Sequence, residues 1–330
     1  MSSSSSPRAA ARCSVCGAPA VAYLPYARLR LCPRHLAEYV ERKVRRVLRR
    51  VGALRPGARI VAAVSGGKDS STMLAALAKL AREAGTTVHG VYLDLGLGEY
   101  SARSREAAEA ACRAAGVECT VLSVKELVGL TVPELARRTR RPVCSVCGVV
   151  KRFLLNAYAV EYGADYVAMG HNADDMIAYA VKSFLSQDLG YIAKLGPATE
   201  SVKGLAVGRL RPLYEVFERE TLLYALVTGM PFLHEECPYR PEAPIEQEIK
   251  EMMNRLEEKH PGTKMMTVRR LERNIEAYHV FQRGEVGRCP ACGLISAGGM
   301  CSFCRLTARA LSEPMGSRVR EKLRGMLRGD

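Results

Sequence analysis

The apolar positions of this chain fall into two alternating rhythms. Short runs rich in β-branched residues stand at Arg59–Val64, Thr86–Leu95, Val117–Val124 and Ala164–Met169. They have the length and composition of buried strands. Between them the apolar residues spread to helical intervals. Met73, Leu74, Leu77 and Leu80 mark a helix across Ser70–Glu83, and others follow over Ala102–Ala115, Val132–Arg138 and Val150–Tyr162. Strands separated by helices predict βαβ units, hence an α/β fold with a doubly wound parallel sheet. Ahead of this block, Leu36, Val40, Val44, Val47, Leu48 and Val51 form the stripe of a helix over Leu36–Leu54. Behind it, helices are expected over Glu215–Thr228, Ile245–Lys259 and Val268–Phe281, with a loop at Pro238–Pro244 and a basic, largely helical tail over Arg305–Arg328. Met252, Met253, Met265 and Met266 read as packing in the late helices. No apolar run approaches the length of a membrane span.

Charge changes the picture next. The formal net charge is +15 over 330 residues. Such an excess suits a polyanionic partner, most simply nucleic acid. Arg42, Lys43, Arg45, Arg46, Arg49 and Arg50 fill the face opposite the first apolar stripe. That face is either solvated or in contact with RNA. Ser2–Ser6 reads as a disordered tail, no signal-peptide core follows it, and a cytoplasmic protein is expected.

Ligands of doubly wound sheets bind beyond the carboxyl ends of the strands. Three such ends carry polar groups. The first is Ala63-Val64-Ser65-Gly66-Gly67-Lys68-Asp69-Ser70. Two glycines there let backbone approach an anion, and the helix that follows offers free N–H groups and a positive dipole end. Asp69 would repel phosphate unless it holds Mg²⁺ or fixes the loop. The G-x-x-x-x-G-K-[ST] alternative fails, because Asp69 follows Lys68 and no glycine stands five residues before Gly67. The second end is Leu93-Asp94. The third, Gly170-His171-Asn172-Ala173-Asp174-Asp175, holds adjacent acids that either bind Mg²⁺, act as a base, or cap a helix.

Twelve cysteines in such a chain argue for metal rather than a disulfide scaffold. Cys13-x2-Cys16 and Cys32-x2-His35 pair two knuckles across fifteen residues, as a structural zinc site does. Cys289-x2-Cys292-x8-Cys301-x2-Cys304 does the same near the C-terminus. Cys144-x2-Cys147, with Cys237 far along the chain, is a set of three. The spacing alone fits a 4Fe–4S cluster with one open iron, a zinc site completed by another side chain, or a redox pair. Cys112 and Cys119 read as buried apolar residues.

Taken together, the loop Ser65–Ser70, Leu95–Ser101, Cys144-x2-Cys147-Gly148-x2-Lys151-Arg152, Gly170–Asp175, His234–Pro238 and both zinc knuckles resemble the tRNA 2-thiolation enzymes of the TtuA-like group, in the PP-loop ATP pyrophosphatase superfamily. Lys151–Asn156 and Tyr191–Pro197 are more similar to the enzymes of 5-methyluridine 54 than to those of wobble uridine 34. The resemblance implies an adenine nucleotide alpha hydrolase-like sheet flanked by zinc fingers. Its expected divisions are a tail (1–12), a finger with a basic helix (13–54), a catalytic domain (55–240), a helical segment (241–284) and a second finger with a basic helix (285–330). It implies ATP held by Ser65, Gly66, Gly67, Lys68, Asp69 and Ser70, with adenine near Ala63 and Leu93 and Gly170 close to the nucleotide. It implies a 4Fe–4S cluster on Cys144, Cys147 and Cys237, two Zn²⁺, Mg²⁺, and Lys151 and Asp175 as catalytic residues that also face the nucleotide. Its partners are tRNA and a ubiquitin-like sulfur carrier ending in a thiocarboxylate, and a homodimer is expected. Amidation or lysidine formation on the same fold, and a zinc-ribbon RNA binder with a decayed nucleotide site, are the competing functions.

Overall fold

The structure, a computed structural model, describes residues 11–282 and 286–329. The serine tail expected at Ser2–Ser6 lies outside them. The chain opens with a hairpin of β1 (Ala22–Leu24) and β2 (Leu29–Leu31), then α1 (Pro33–Arg50). The alternating block follows: β3 (Arg59–Ala63), α2 (Lys68–Ala84), β4 (Thr87–Asp94), α3 (Glu99–Ala115) and β5 (Cys119–Ser123). Three helices succeed it, α4 (Val124–Val128), α5 (Val132–Thr139) and α6 (Val143–Tyr162). The sheet resumes with β6 (Tyr166–Ala168), then α7 (Ala173–Leu185), α8 (Leu189–Ile192), β7 (Gly208–Leu210) and α9 (Glu218–Thr228). Beyond it lie α10 (Ile245–Lys259), α11 (Thr263–Arg273), a second hairpin of β8 (Gly287–Arg288) and β9 (Ile295–Ser296), α12 (Ser302–Leu311) and α13 (Gly316–Arg328).

The central sheet has the order β5-β4-β3-β6-β7, and every pair is parallel. Ala62 on β3 pairs with Gly90 on one side and Ala168 on the other. The chain leaves β3 toward β4 and β5, then returns to lay β6 on its opposite flank. That reversal is the doubly wound pattern the sequence predicts, and it opens a crevice beside the carboxyl end of β3.

Element boundaries differ from expectation where caps decide them. The first long helix begins at Pro33, whose fixed φ suits the first turn, and stops at Arg50 before Gly52 at φ 66. The expected helix from Glu215 starts at Glu218, because Glu220 reaches back to the Phe217 N–H at 2.8 Å. The stretch Val268–Phe281 divides into α11 and a 3₁₀ turn over Ile275–Phe281. β7 has three residues, too few to set up a period in the sequence.

The N-terminal finger keeps a small core of its own, and the later helices and the C-terminal finger pack against the sheet domain. Val40, Val44 and Leu48 of α1 pack with α2 and α9. Phe303 of α12 stacks on Phe153 of α6, with ring centroids 3.8 Å apart. Glu161 of α6 binds Arg320 at 2.5 Å and Arg324 at 2.8 Å, both on α13. Helices α10 and α11 lie on α7. Met253 and Met265 are buried as expected, whereas Met252 and Met266 are exposed. Cys112 is buried and Cys119 only partly so.

Helix α6 is twenty residues long, and an 18-residue window of it has a mean hydropathy of 1.4, enough for a membrane span by length and composition alone. Lys151, Arg152 and Glu161 interrupt it, so it is not a continuous apolar run. Half of it is buried inside the protein, where Val146, Val150, Leu154 and Tyr158 join the core.

Gly66 has φ +82, and a Cβ there would stand 2.3 Å from the Ser104 carbonyl oxygen. Gly67 has open space, its nearest neighbour being Ser65 Oγ at 3.7 Å. Gly66→Ala is therefore expected to destabilise the fold by at least about 2–3 kcal/mol in urea unfolding. Gly67→Ala should lose only about 0.5–1 kcal/mol, as a poorer helix cap. Equal losses would mean that Ser104 does not constrain the loop.

Candidate nucleotide and thiol site

The loop Ser65–Ser70 leaves β3 at the sheet's reversal point and runs straight into α2. Its hydroxyls lock it from within. Ser70 Oγ donates to the Gly67 carbonyl at 2.9 Å and lies 3.1 Å from both the Ser65 backbone N and Ser65 Oγ. Ser65 itself is exposed, facing the crevice side of the loop rather than the core. Gly170, just past β6, packs on the first turn of α2, where a Cβ would come 2.9 Å from the Ser70 nitrogen. Ala63 and Leu93 end the neighbouring strands β3 and β4. The structure thus brings together all the residues expected to face a nucleotide at the three strand ends.

Asp69 fixes the loop, one of the two roles its position allows. Its carboxylate accepts from Thr221 Oγ1 at 2.5 Å and Asn172 Nδ2 at 3.3 Å, and meets Lys68 Nζ at 3.0 Å. The two later acids part company. Asp174 is buried, bound to Lys264 at 2.5 Å and to the Glu218 N–H at 2.7 Å. Asp175 closes a capping box with Asn172 at the start of α7 and stays partly exposed. Asp175 therefore caps its helix, one of the readings its position allows, and both acids are paired with a lysine.

A charge chain joins these groups. Lys68 binds Glu218 at 2.8 Å, Glu218 binds Lys250 at 2.9 Å, and Lys250 binds Asp175 at 2.6 Å. Burial opposes ionisation of Glu218, but Lys250 and Lys68 outweigh it and hold its carboxyl down to about 2. Burial likewise opposes the charge of Lys250, yet Asp175 and Glu218 push its ammonium above the usual lysine range. His171 behaves oppositely. Burial, helped by Arg211 and Arg209, pushes it down to about 4, so the ring is neutral near neutral pH. Its Nδ1 is buried without a partner among the described residues.

Lys250, Glu218 and His171 are site groups that sequence reasoning did not single out. Lys250 is one lysine of a charged amphipathic helix and carries no local signal. Glu218 looks like an ordinary first-turn acid. His171 stands inside a recognised motif, and its buried, unpaired nitrogen emerges only from the fold.

The three separated cysteines converge by backbone contacts. Leu233 N–H donates to the Gly66 carbonyl at 2.8 Å, so the strand of chain leading to Cys237 is tied to the phosphate loop. Beyond Cys237, the Tyr239 carbonyl accepts from Cys144 Sγ at 3.0 Å. Arg103 of α3 holds Glu235 at 2.8 Å. Burial pushes the Cys147 thiol up, Lys151 one turn along pulls against it, and Cys237 and Cys144 add to the rise. Lys151 is exposed on α6 beside this set. All three thiols are free. They are not gathered around one point as four ligands of a single ion would be. Thiolates on separate irons of a cluster stand farther apart than that.

The two knuckle pairs are so gathered. The donor atoms of Cys13, Cys16, Cys32 and His35 lie within 4.8 Å of one another, and so do those of Cys289, Cys292, Cys301 and Cys304. Burial raises the Cys13 thiol, but the N–H groups of Cys32, Val15 and Cys16 outweigh it and bring it down to about 6. A thiolate there is within reach at neutral pH, as metal binding requires.

Comparison with known proteins agrees with this geometry. Residues 36–241 match the PP-loop domain, and residues 12–37 match the N-terminal LIM domain of 2-thiouridine synthetase TtuA. The chain is 37% identical to the tRNA-5-methyluridine(54) 2-sulfurtransferase of Pyrococcus horikoshii, over 89% of this chain and 93% of that one. It is 38% identical to the protein of the same name from Thermus thermophilus, over 89% and 90% respectively. The solved U34-tRNA thiolase NcsA from Methanococcus maripaludis, with its 4Fe–4S cluster, superposes with a TM-score of 0.76 at 27% identity, over 92% of this chain and 96% of that one. The chain belongs to the PP-loop family and, within it, to the tRNA 2-thiolation sulfurtransferases.

Proposed function

We infer that this chain uses ATP to replace the C2 oxygen of 5-methyluridine 54 in tRNA with sulfur. The observation that carries the reading is the double tie of the Cys237 segment, to the phosphate loop through Leu233 and Gly66 and to Cys144 through Tyr239. Phosphate-loop chemistry and thiol chemistry then share one crevice, which amidation or lysidine formation does not need. Wobble uridine 34 is the second target, favoured by the name of the structural neighbour.

In this reading ATP spans the ends of β3 and β4. The N–H groups at the start of α2 and Lys68 take its phosphates, and the α2 dipole favours their charge. The uridine C2 oxygen attacks the α phosphorus, the bond to the β-phosphate oxygen breaks, and pyrophosphate leaves. Sulfur then displaces AMP at C2. Lys151 is placed to offset negative charge on the activated oxygen or the α phosphate. Asp175 orients or deprotonates the base, and Lys250 holds Asp175 in place. Asp174 is buried against Lys264, whereas Asp69 and Asp175 are partly exposed and are the carboxylates placed to face the Mg²⁺ that accompanies ATP.

Cys144, Cys147 and Cys237 fit a cluster by chemistry, being three free thiols at one helix start and one tethered loop. A 4Fe–4S cluster on them would supply one iron open to incoming sulfide. Two Zn²⁺ fit the closed four-donor sets and would act structurally. A ubiquitin-like thiocarboxylate carrier and a homodimer complete the reading on family resemblance. Twelve free cysteines suit a reducing, cytoplasmic setting.

The direct test incubates tRNA with anaerobically reconstituted protein, ATP and sulfide, then maps thionucleosides by mass spectrometry. Sulfur on 5-methyluridine 54 is expected; sulfur at uridine 34 would move the target, and none at all would remove the function. Cys144→Ser, Cys147→Ser or Cys237→Ser should each abolish transfer while ATP binding persists. Retained transfer in the Cys237 variant would sink the thiol assignment. Cys289→Ser should lower bound zinc from two to one per chain and lower the melting temperature, with unchanged metal content as the contrary result. Lys250→Ala should reduce turnover by about 10- to 100-fold at saturating ATP, with partial recovery in Lys250→Arg. A change confined to ATP affinity would show that Lys250 does not position Asp175.

A further inference from the structure

A second concave surface lies away from the thiols. Helices α1 and α11 face each other across a cavity of about 560 Å³. Arg42 and Arg46 enter it from α1, one turn apart, and Arg269, Arg270 and Arg273 enter from α11. All five are exposed. Tyr39 lines the cavity beside them, with Arg42 5.7 Å from its ring centroid.

The ion pairs divide this basic face in two. Arg45 is taken by Glu83 at 2.7 Å, and Arg50 by Glu215 and Glu272 at 2.9 and 2.7 Å. Arg46 and Arg269 share that same Glu215, at 3.2 and 3.4 Å. Arg42, Arg270 and Arg273 have no carboxylate within 4.0 Å among the described residues. One buried carboxylate therefore serves three guanidiniums, and three more stand uncompensated around the same hollow. Such a concentration of like charge repels itself unless an anion fills it. Several anionic groups in a row fit two facing rows of arginine better than one does.

We propose that this groove binds the phosphodiester backbone of the RNA substrate, with Arg42, Arg270 and Arg273 as the phosphate contacts and Tyr39 as a flat surface for a sugar or base. The proposal rests on the tRNA reading above. It resolves the open choice for the basic face of α1. The outer part, at Arg45 and Arg50, is bound to the protein's own acids, and the side turned to α11 lines the groove. The groove is joined to the site through α11, whose Lys264 holds Asp174, the neighbour of Asp175.

The experiment measures binding of full-length, zinc-loaded protein to an unmodified tRNA transcript over a range of salt concentrations. Arg270→Glu/Arg273→Glu should weaken binding by about tenfold or more and make the slope of log affinity against log salt shallower by about 2. Arg270→Lys/Arg273→Lys should restore most of the affinity. Zinc content, melting temperature and ATP affinity should match the parent in both. Arg49→Glu/Arg113→Glu, the same charge change outside the groove, should leave tRNA affinity within about twofold of the parent. An unchanged salt slope in the groove variant, or an equal loss in the control pair, overturns the groove while leaving thiolation intact. Loss of binding to an acidic sulfur-carrier protein with tRNA affinity retained also overturns it. A parent protein that binds no tRNA at all brings down the functional reading with it.

Discussion

Parallel pairing of β3 with strands on both of its flanks is the constraint from which the site follows. A parallel strand cannot be reached by a tight turn, so each return of the chain needs a crossover. The connection leaving β3 runs to β4 on one flank and the connection leaving β6 runs to β7 on the other, so the two part at the carboxyl ends of these neighbouring strands. The gap they leave holds Ser65–Ser70 on one side and Gly170–Asp175 on the other. Close approach is then required twice, and glycine meets it twice: Gly66 against the Ser104 carbonyl and Gly170 against the first turn of α2. With a side chain at either point the loop would stand off from α3 or α7, and the N–H groups at the helix start would lose their common focus.

Elements outside the sheet supply what the crevice lacks. Helix α9 brings Glu218 and Thr221 to the loop, and α10 brings Lys250 to Asp175. Helix α6 carries Cys144 and Cys147 at its start and Lys151 on its exposed face. Its other face is fixed by the C-terminal finger through Phe153, Phe303 and the Glu161–arginine pairs. The C-terminal finger therefore does more than end the chain. It sets the roll of the helix that presents two of the three site thiols.

Most of the strands, the long helices and both knuckle pairs were legible in the sequence, because each rests on local spacing. β3 and α2 follow from apolar period, and the finger ligands follow from paired Cys-x2-Cys and Cys-x2-His steps. What was not legible depends on distance along the chain. Lys250 meets Asp175 across seventy-five positions of sequence and looks like any lysine of a charged helix. Glu215 meets Arg46 and Arg50 from α1 and Arg269 from α11, and no window of sequence contains them all. The α1 stripe reads as amphipathic from sequence, but only the fold shows that Val40, Val44 and Leu48 pack with α2 and α9 while Leu36 stays with the finger before it.

Each charge of the crevice cluster has an opposite partner. Lys68 and Lys250 stand among Asp69, Asp175 and Glu218, and Glu218 touches both lysines. Polyphosphate entering the loop competes with Glu218 for Lys68. A half-buried carboxylate left without a partner would carry part of a desolvation cost. Glu218, its side chain 38% exposed, lowers that cost because Lys250 keeps its second bond. Lys250 in turn has Asp175, so the shift of one contact leaves no charge of the cluster alone. A single Lys68–Glu218 pair would have opposed nucleotide by the full cost of breaking it. The four-member chain lets the loop exchange an internal anion for an external one while every other charge stays paired.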